Sequence, residues 1–210
     1  MGSFAGSDDV FRSRFNRVLA VIIWAIDLFV LVTSLVVGEP AETAGGLLLF
    51  TMFTAGLVYA LLWRPSVAVN DDCVTLVNVT RTIVIPWAAL IDVDTRFALS
   101  LRTPRTSYSA WAAPAPGRSG LAMARRAERR HGPNARTPTV AGRSRPGDLI
   151  TTESGEAAYL VRERWNSLVE SGAVEPGLAD STPVTIRWHW FQDAALVILA
   201  IATAIAVGWL

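Results

Sequence analysis

The sequence predicts a membrane α plus α+β fold: three transmembrane helices joined to a curved antiparallel sheet, or split barrel, capped by a C-terminal amphipathic helix. Three observations predict it. Apolar runs cover 18–37, 44–63 and 194–210. A helix rising about 1.5 Å per residue needs roughly 20 apolar residues to span a hydrocarbon core of about 30 Å, so the first two runs suffice and the third is near the lower limit. After Pro65 the pattern changes to short alternating runs separated by turn residues, and beyond Thr152 apolar residues recur at helical spacing.

Taken in order, residues 1–17 carry Arg12, Arg14 and Arg17 ahead of the first span, whereas the connection 38–43 holds Glu39, Glu42 and no positive charge. The positive-inside rule places the N-terminus in the cytoplasm and that connection outside. The first run exceeds the roughly 7–15 residues of a signal-peptide core, so it is expected to stay in the chain as half of a helical hairpin, 18–63. Asp27 lies near its middle, where an isolated charge costs at least about 2.5 kcal/mol. A hydroxyl from Thr51, Thr54 or Thr203 on a neighbouring span is its expected partner. Gly45, Gly46 and Gly56 let another helix approach closely, from the same chain or a second copy, which leaves homo-oligomerisation open.

Arg64 opens the domain, 64–175, and the Arg excess keeps it on the cytoplasmic side. Strands are expected at 66–69, 73–79, 82–85, 90–96, 97–103 and 107–112, with Asn70-Asp71-Asp72 turning the first hairpin. Alternation places Phe97, Leu99 and Leu101 on one buried face, and Cys73 reads as a buried strand residue. Asp92, Asp94 and Arg96 form a charge ladder on one side of a strand. The insertion 114–150 is rich in Ala, Pro, Gly and Arg and reads as a mobile loop, with a short helix at 121–130 that displays Arg125, Arg126, Arg129 and Arg130. The final helix of the domain sets Ala157, Leu160, Val161, Trp165, Leu168 and Val169 on its apolar stripe and Arg162, Glu163, Asn166 and Glu170 opposite. A linker, 176–192, brings Trp188, His189, Trp190 and Phe191 to the membrane interface, and 193–210 forms the third span, ending outside.

Composition narrows the function. Among 210 residues with a net charge of +1 there is one cysteine and there are two distant histidines, so neither a disulfide nor a clustered metal site is expected. No nucleophile elbow, phosphate loop or paired acids suggests catalysis, and no cofactor is implied. Nucleic-acid binding is not expected either, because the Arg-rich loop lacks interleaved aromatics.

The segments Arg64-Pro65-Ser66-Val67, Ile85-Pro86-Trp87-Ala88-Ala89-Leu90, Asp92-Val93-Asp94-Thr95-Arg96 and Tyr108-Ser109-Ala110-Trp111-Ala112-Ala113-Pro114 resemble the membrane-anchored bacterial pleckstrin-homology (PH) proteins of actinobacteria, of the low-molecular-weight antigen type. The use of Arg without Lys fits a GC-rich bacterial genome. The resemblance implies a split barrel with a capping helix and no catalytic activity. One departure is that the first hairpin loop is acidic, which disfavours a phosphorylated headgroup there.

The expected function is a non-enzymatic adaptor in the cell membrane that docks an unknown protein partner, with Arg81, Arg96, Arg102 and Arg105 as candidate contacts. The alternative is sensing of anionic membrane lipid by Arg125, Arg126, Arg129 and Arg130, each contributing about 1 kcal/mol near the surface.

Overall fold

The computed structural model describes residues 9–115, 152–174 and 179–208. In chain order its elements are β1 (Asp9–Phe11), α1 (Arg14–Val37), α2 (Ala41–Val58) continuing into a π-helical turn (Tyr59–Trp63), β2 (Ser66–Val69), β3 (Cys73–Val77), β4 (Arg81–Pro86), a 3-10 turn (Trp87–Ala89), β5 (Asp92–Asp94), β6 (Ala98–Arg102), β7 (Ser107–Pro114), α3 (Glu153–Glu170), β8 (Thr185–Trp188) and α4 (Trp190–Ala206). They divide into two compact units. The helical unit comprises Arg14–Pro65, Val79–Arg81 and Trp188–Leu210, and the sheet unit Met1–Ser13, Ser66–Asn78 and Thr82–Arg187.

In the helical unit, two helices are long and apolar enough to cross a membrane, Arg14–Val37 and Ala41–Trp63. Only 11% and 22% of their apolar windows are buried. Gly38, at φ 74°, ends α1 in the left-handed conformation, and the Glu39 amide donates to Ser34 O, closing the last turn before Pro40 starts α2. Trp24 Nε1 donates to Ala55 O at 3.2 Å, and Thr54 Oγ1 lies 2.9 Å from Asp27 Oδ2. That hydroxyl also lies 3.1 Å from both Phe50 O and Thr51 O, but it has one proton to give.

The third apolar run forms α4, a helix of 17 residues, which is shorter than the two candidate spans and corrects the expectation of a third transmembrane helix. At about 1.5 Å per residue it falls short of a hydrocarbon core about 30 Å thick. Its side is matched to α2 by glycine: a Cβ on Gly46 would sit 3.5 Å from Ala206 O, and one on Gly56 3.2 Å from Leu196 Cδ2. The two helices therefore run antiparallel in close contact over about ten residues of each. Gly45 faces open space instead.

The sheet unit contains a five-stranded sheet in the order β1-β2-β3-β4-β8 and a three-stranded sheet in the order β5-β6-β7. The Asn70 side chain makes the first hairpin, its Oδ1 accepting from the Asp72 and Cys73 amides at 3.0 and 2.8 Å. Trp87 Nε1 donates to Asn70 O at 2.9 Å, which ties the 3-10 turn to that hairpin while the indole fills the core. Around it lie Val67, Val74, Leu76, Ile83, Ile85, Leu99 and Leu101, all buried. Thr152 caps α3 by accepting from the Gly155 amide, and Ala157, Ala158 and Val161 pack into the same core. Leu160, Trp165 and Leu168 pack at its margin.

Several expectations fail in detail. Phe97 is 84% exposed, because β6 begins one residue later and alternation does not extend into the bend before it. Val169 is exposed at the end of α3, and Cys73 is half-buried at the head of β3. Arg162 does not face solvent freely: its Nη2 donates to Val93 O at 2.7 Å, reaching the β5 strand. The charge ladder is cross-strand, since Asp92 stands opposite Arg102 and Arg96 lies beyond the end of β5. Strands β1 and β8 fall in segments read from sequence as irregular.

Candidate functional site

Of the arginines singled out in the sequence, Arg96, Arg102 and Arg105 lie on the β5-β6-β7 sheet or its turns, and all three are exposed. Arg96 follows β5 in a bend where its amide donates to Asp94 Oδ1 at 3.0 Å. Arg102 stands between Asp92 on β5 and Ser107 on β7, and Arg105 occupies the β6–β7 turn. The next row of the ladder is Asp94, Ser100 and Ser109, whose two serine hydroxyls meet at 2.8 Å. Two large aromatics are exposed in this region, Trp111 on β7, 53% exposed, and Phe97 in the bend before β6.

Trp111 owes its position to one side chain. The register between β6 and β7 breaks after Ser109, where Ser100 pairs with Ser109 but Ala98 with Pro114. Over the gap the Asn78 amide takes the place of a strand, Nδ2 donating to Ser109 O at 2.9 Å and Oδ1 accepting from the Trp111 amide at 2.8 Å. One side chain thereby supplies both a donor and an acceptor to alternate residues of β7, as a neighbouring strand would.

Arg81 belongs to the helical unit and stands apart from this set. Its guanidinium lies over Trp188, 5.5 Å from the ring centroid. Trp188 in turn stacks at 5.6 Å on Trp190. Next to them Arg64 Nη1 donates to Gln192 Oε1 at 2.6 Å and reaches His189 Nδ1 at 2.7 Å. Nδ1 accepts that proton only when it carries none, so its 3.2 Å approach to Val79 O is then not a hydrogen bond. The Gln192 amide lies 3.4 Å from the same carbonyl, and the His189 amide donates to Thr80 O. Arg17 lies over Trp63, 4.9 Å from the ring centroid, and Trp63 packs on Trp24 at 5.2 Å.

Sequence reading treated Arg17 and Arg64 as topology signals and His189 as packing, so this cluster was missed. The available hint was an Arg directly after one apolar run and a His-x-x-Gln at the entrance of another. The π-helical turn helps to build it: the Arg64 amide bonds Tyr59 O, five residues back, which turns Trp63 and Arg64 away from the face an α-helix would give them.

Arg125, Arg126, Arg129 and Arg130 lie outside the described residues. Among the described residues no group of three or more His, Cys, Asp and Glu could hold a metal. A groove of about 740 Å³ between α2 and α4 is lined mainly by apolar groups, including Leu47, Phe50, Phe53 and Ala200, with Glu42, Thr43 and Thr203 as its polar members.

Residues 64–147 match the family model described as Bacterial PH domain. The match takes in β2 through β7. No curated protein and no solved structure matches the chain. PH domains are typically non-catalytic modules that bind lipids or proteins. In this PH-like sheet the first hairpin loop is acidic, and Asp71 there is already paired with Arg164 of α3.

Proposed function

We propose that the chain is a non-enzymatic, membrane-tethered interaction module of the cell membrane, whose PH-like domain docks a protein partner in the cytoplasm. Helix α1 and the helix Ala41–Trp63 cross the bilayer, and the shorter α4 packs antiparallel against α2. Exposed apolar side chains along α1, among them Ile22, Ile26, Phe29 and Leu35, support this, since lipid is the solvent that removes their cost. Arg12, Arg14, Arg17 and Arg64 on one side, against Glu39 and Glu42 on the other, support a cytoplasmic N-terminus. In this reading 1–17 is cytoplasmic, 64–175 is the docking domain with its insertion at 114–150, and the linker that follows leads to the last helix, α4 (Trp190–Ala206).

The observation that carries the docking role is the exposure of Trp111 on β7 and of Phe97 in the bend before β6, in the same β5-β6-β7 region that bears Arg96, Arg102 and Arg105. Aromatic and arginine side chains are the types that dominate protein interfaces. Crosslinking in native membranes, followed by mass spectrometry, should recover a reproducible partner that is lost in a Phe97→Asp, Trp111→Ala variant. Absence of any reproducible partner sinks the docking role. Orientation is read separately: Phe97→Cys in a Cys73→Ser background should resist an impermeant maleimide in intact cells and react after lysis.

A further inference from the structure

The three guanidiniums of Arg17, Arg64 and Arg81 are half-buried in the helical unit, yet among the described residues none is in an ion pair with a carboxylate. Their neighbours are neutral: Trp63 beneath Arg17, His189 and Gln192 beside Arg64, Trp188 beneath Arg81. Arg17 Nε is buried with no hydrogen-bond partner. Arg64 uses only Nη1, so Nε and Nη2 keep their donors. Asp193, in the first turn of α4, follows Gln192 directly, and it is in no ion pair with them. Partly desolvated cations without a counter-ion are costly, and an anion brought among them recovers that cost.

A topology signal needs only solvated charge. Here the arginines are instead held by ring faces and hydrogen bonds, which lowers the entropy lost when a ligand orders them. The forked guanidinium suits phosphate oxygens, and Trp indoles at helix ends are the groups that sit at headgroup level. Trp63 ends the helix Ala41–Trp63 and Trp190 begins α4, so these rings lie where two apolar helices end.

We infer that Arg17, Arg64 and Arg81, with Trp63 and Trp188, form a site for the phosphodiester of an anionic phospholipid. The site rests on the membrane reading above and uses none of the docking residues Arg96, Arg102 and Arg105. It fixes a headgroup against the ends of the helices.

The test uses the full-length chain in detergent, equilibrated with equal amounts of phosphatidylglycerol and phosphatidylcholine, with bound lipid read by native mass spectrometry. Phosphatidylglycerol should be preferred. Arg17→Gln and Arg64→Gln should each lower that preference about fivefold, the change expected for one cation near an anionic lipid. Arg64→Lys should fall between them and the unaltered chain, and Arg164→Gln, on α3, should leave the lipid preference unchanged. Equal binding of the two lipids, or a preference untouched by both Gln substitutions, overturns the site. Displacement of the lipid by millimolar inorganic phosphate would assign the pocket to free phosphate and overturn it too. Alkaline carbonate extraction is run in parallel: release of the chain from membranes removes the tether and the lipid site together, whereas a retained chain with equal lipid binding removes the site alone.

Discussion

The two units use the same apolar residue types in opposite ways. In the sheet unit Val67, Leu76, Ile83 and Leu101 are buried among one another, and the polar residues of each strand face out. In the helical unit Ile22, Phe29, Leu35 and Ile201 are exposed, and the polar groups turn inward to meet each other, as Thr54 meets Asp27 and Trp24 meets Ala55 O. The difference teaches that hydrophobicity places a side chain only relative to its solvent. A protein core satisfies the first unit; in the proposed membrane setting, lipid would satisfy the second and make internal hydrogen bonds the scarce resource.

The sharpest way to break this contrast is to truncate one large apolar side chain in each unit. Leu101→Ala should destabilise the sheet unit by about 2–5 kcal/mol through a lost contact and a cavity. Phe29→Ala, on the exposed side of α1, should leave hydrogen-exchange protection of the sheet strands unchanged. Equal losses of protection in the two variants would show that α1 is part of a protein core. A second test removes a polar bridge. Asn78→Asp deprives Ser109 O of its donor, at about 1–3 kcal/mol, and should raise exchange at the Trp111 amide before that of β3. Thr54→Val should cost the helical unit about 0.6–2 kcal/mol, seen as a lower melting temperature in detergent with the sheet strands unaffected. The smallest effect is expected from Arg164→Gln, which removes an exposed pair with Asp71 worth about 0–1 kcal/mol and less at high salt. A large loss there would mean that the acidic hairpin loop needs α3 to hold its shape.

The strands were legible because alternation and turn residues are local: Asn70 builds its turn from its own neighbours. Phe97 was misplaced by the same rule, since parity carries information only inside a strand, and the chain bends there. Strands β1 and β8 were missed because their pairing partners, β2 and β4, are distant in sequence, and neither strand buries a clear apolar face. The sheet arginines were nameable from sequence, but their rows were not: Arg102 faces Asp92, ten residues away, by register. The arginine and tryptophan cluster was less visible still, because it draws on residues 17, 63–64, 81 and 188–192.

By itself the sequence determined which stretches avoid water, where the charge excess lies and what each turn can do, because those depend on neighbours within a few residues. Only the tertiary structure decided which cations lack an acid, which aromatic rings stay exposed and which hydroxyl serves Asp27. Those are properties of distance, and distance between remote residues is set when helices pack and strands choose their register.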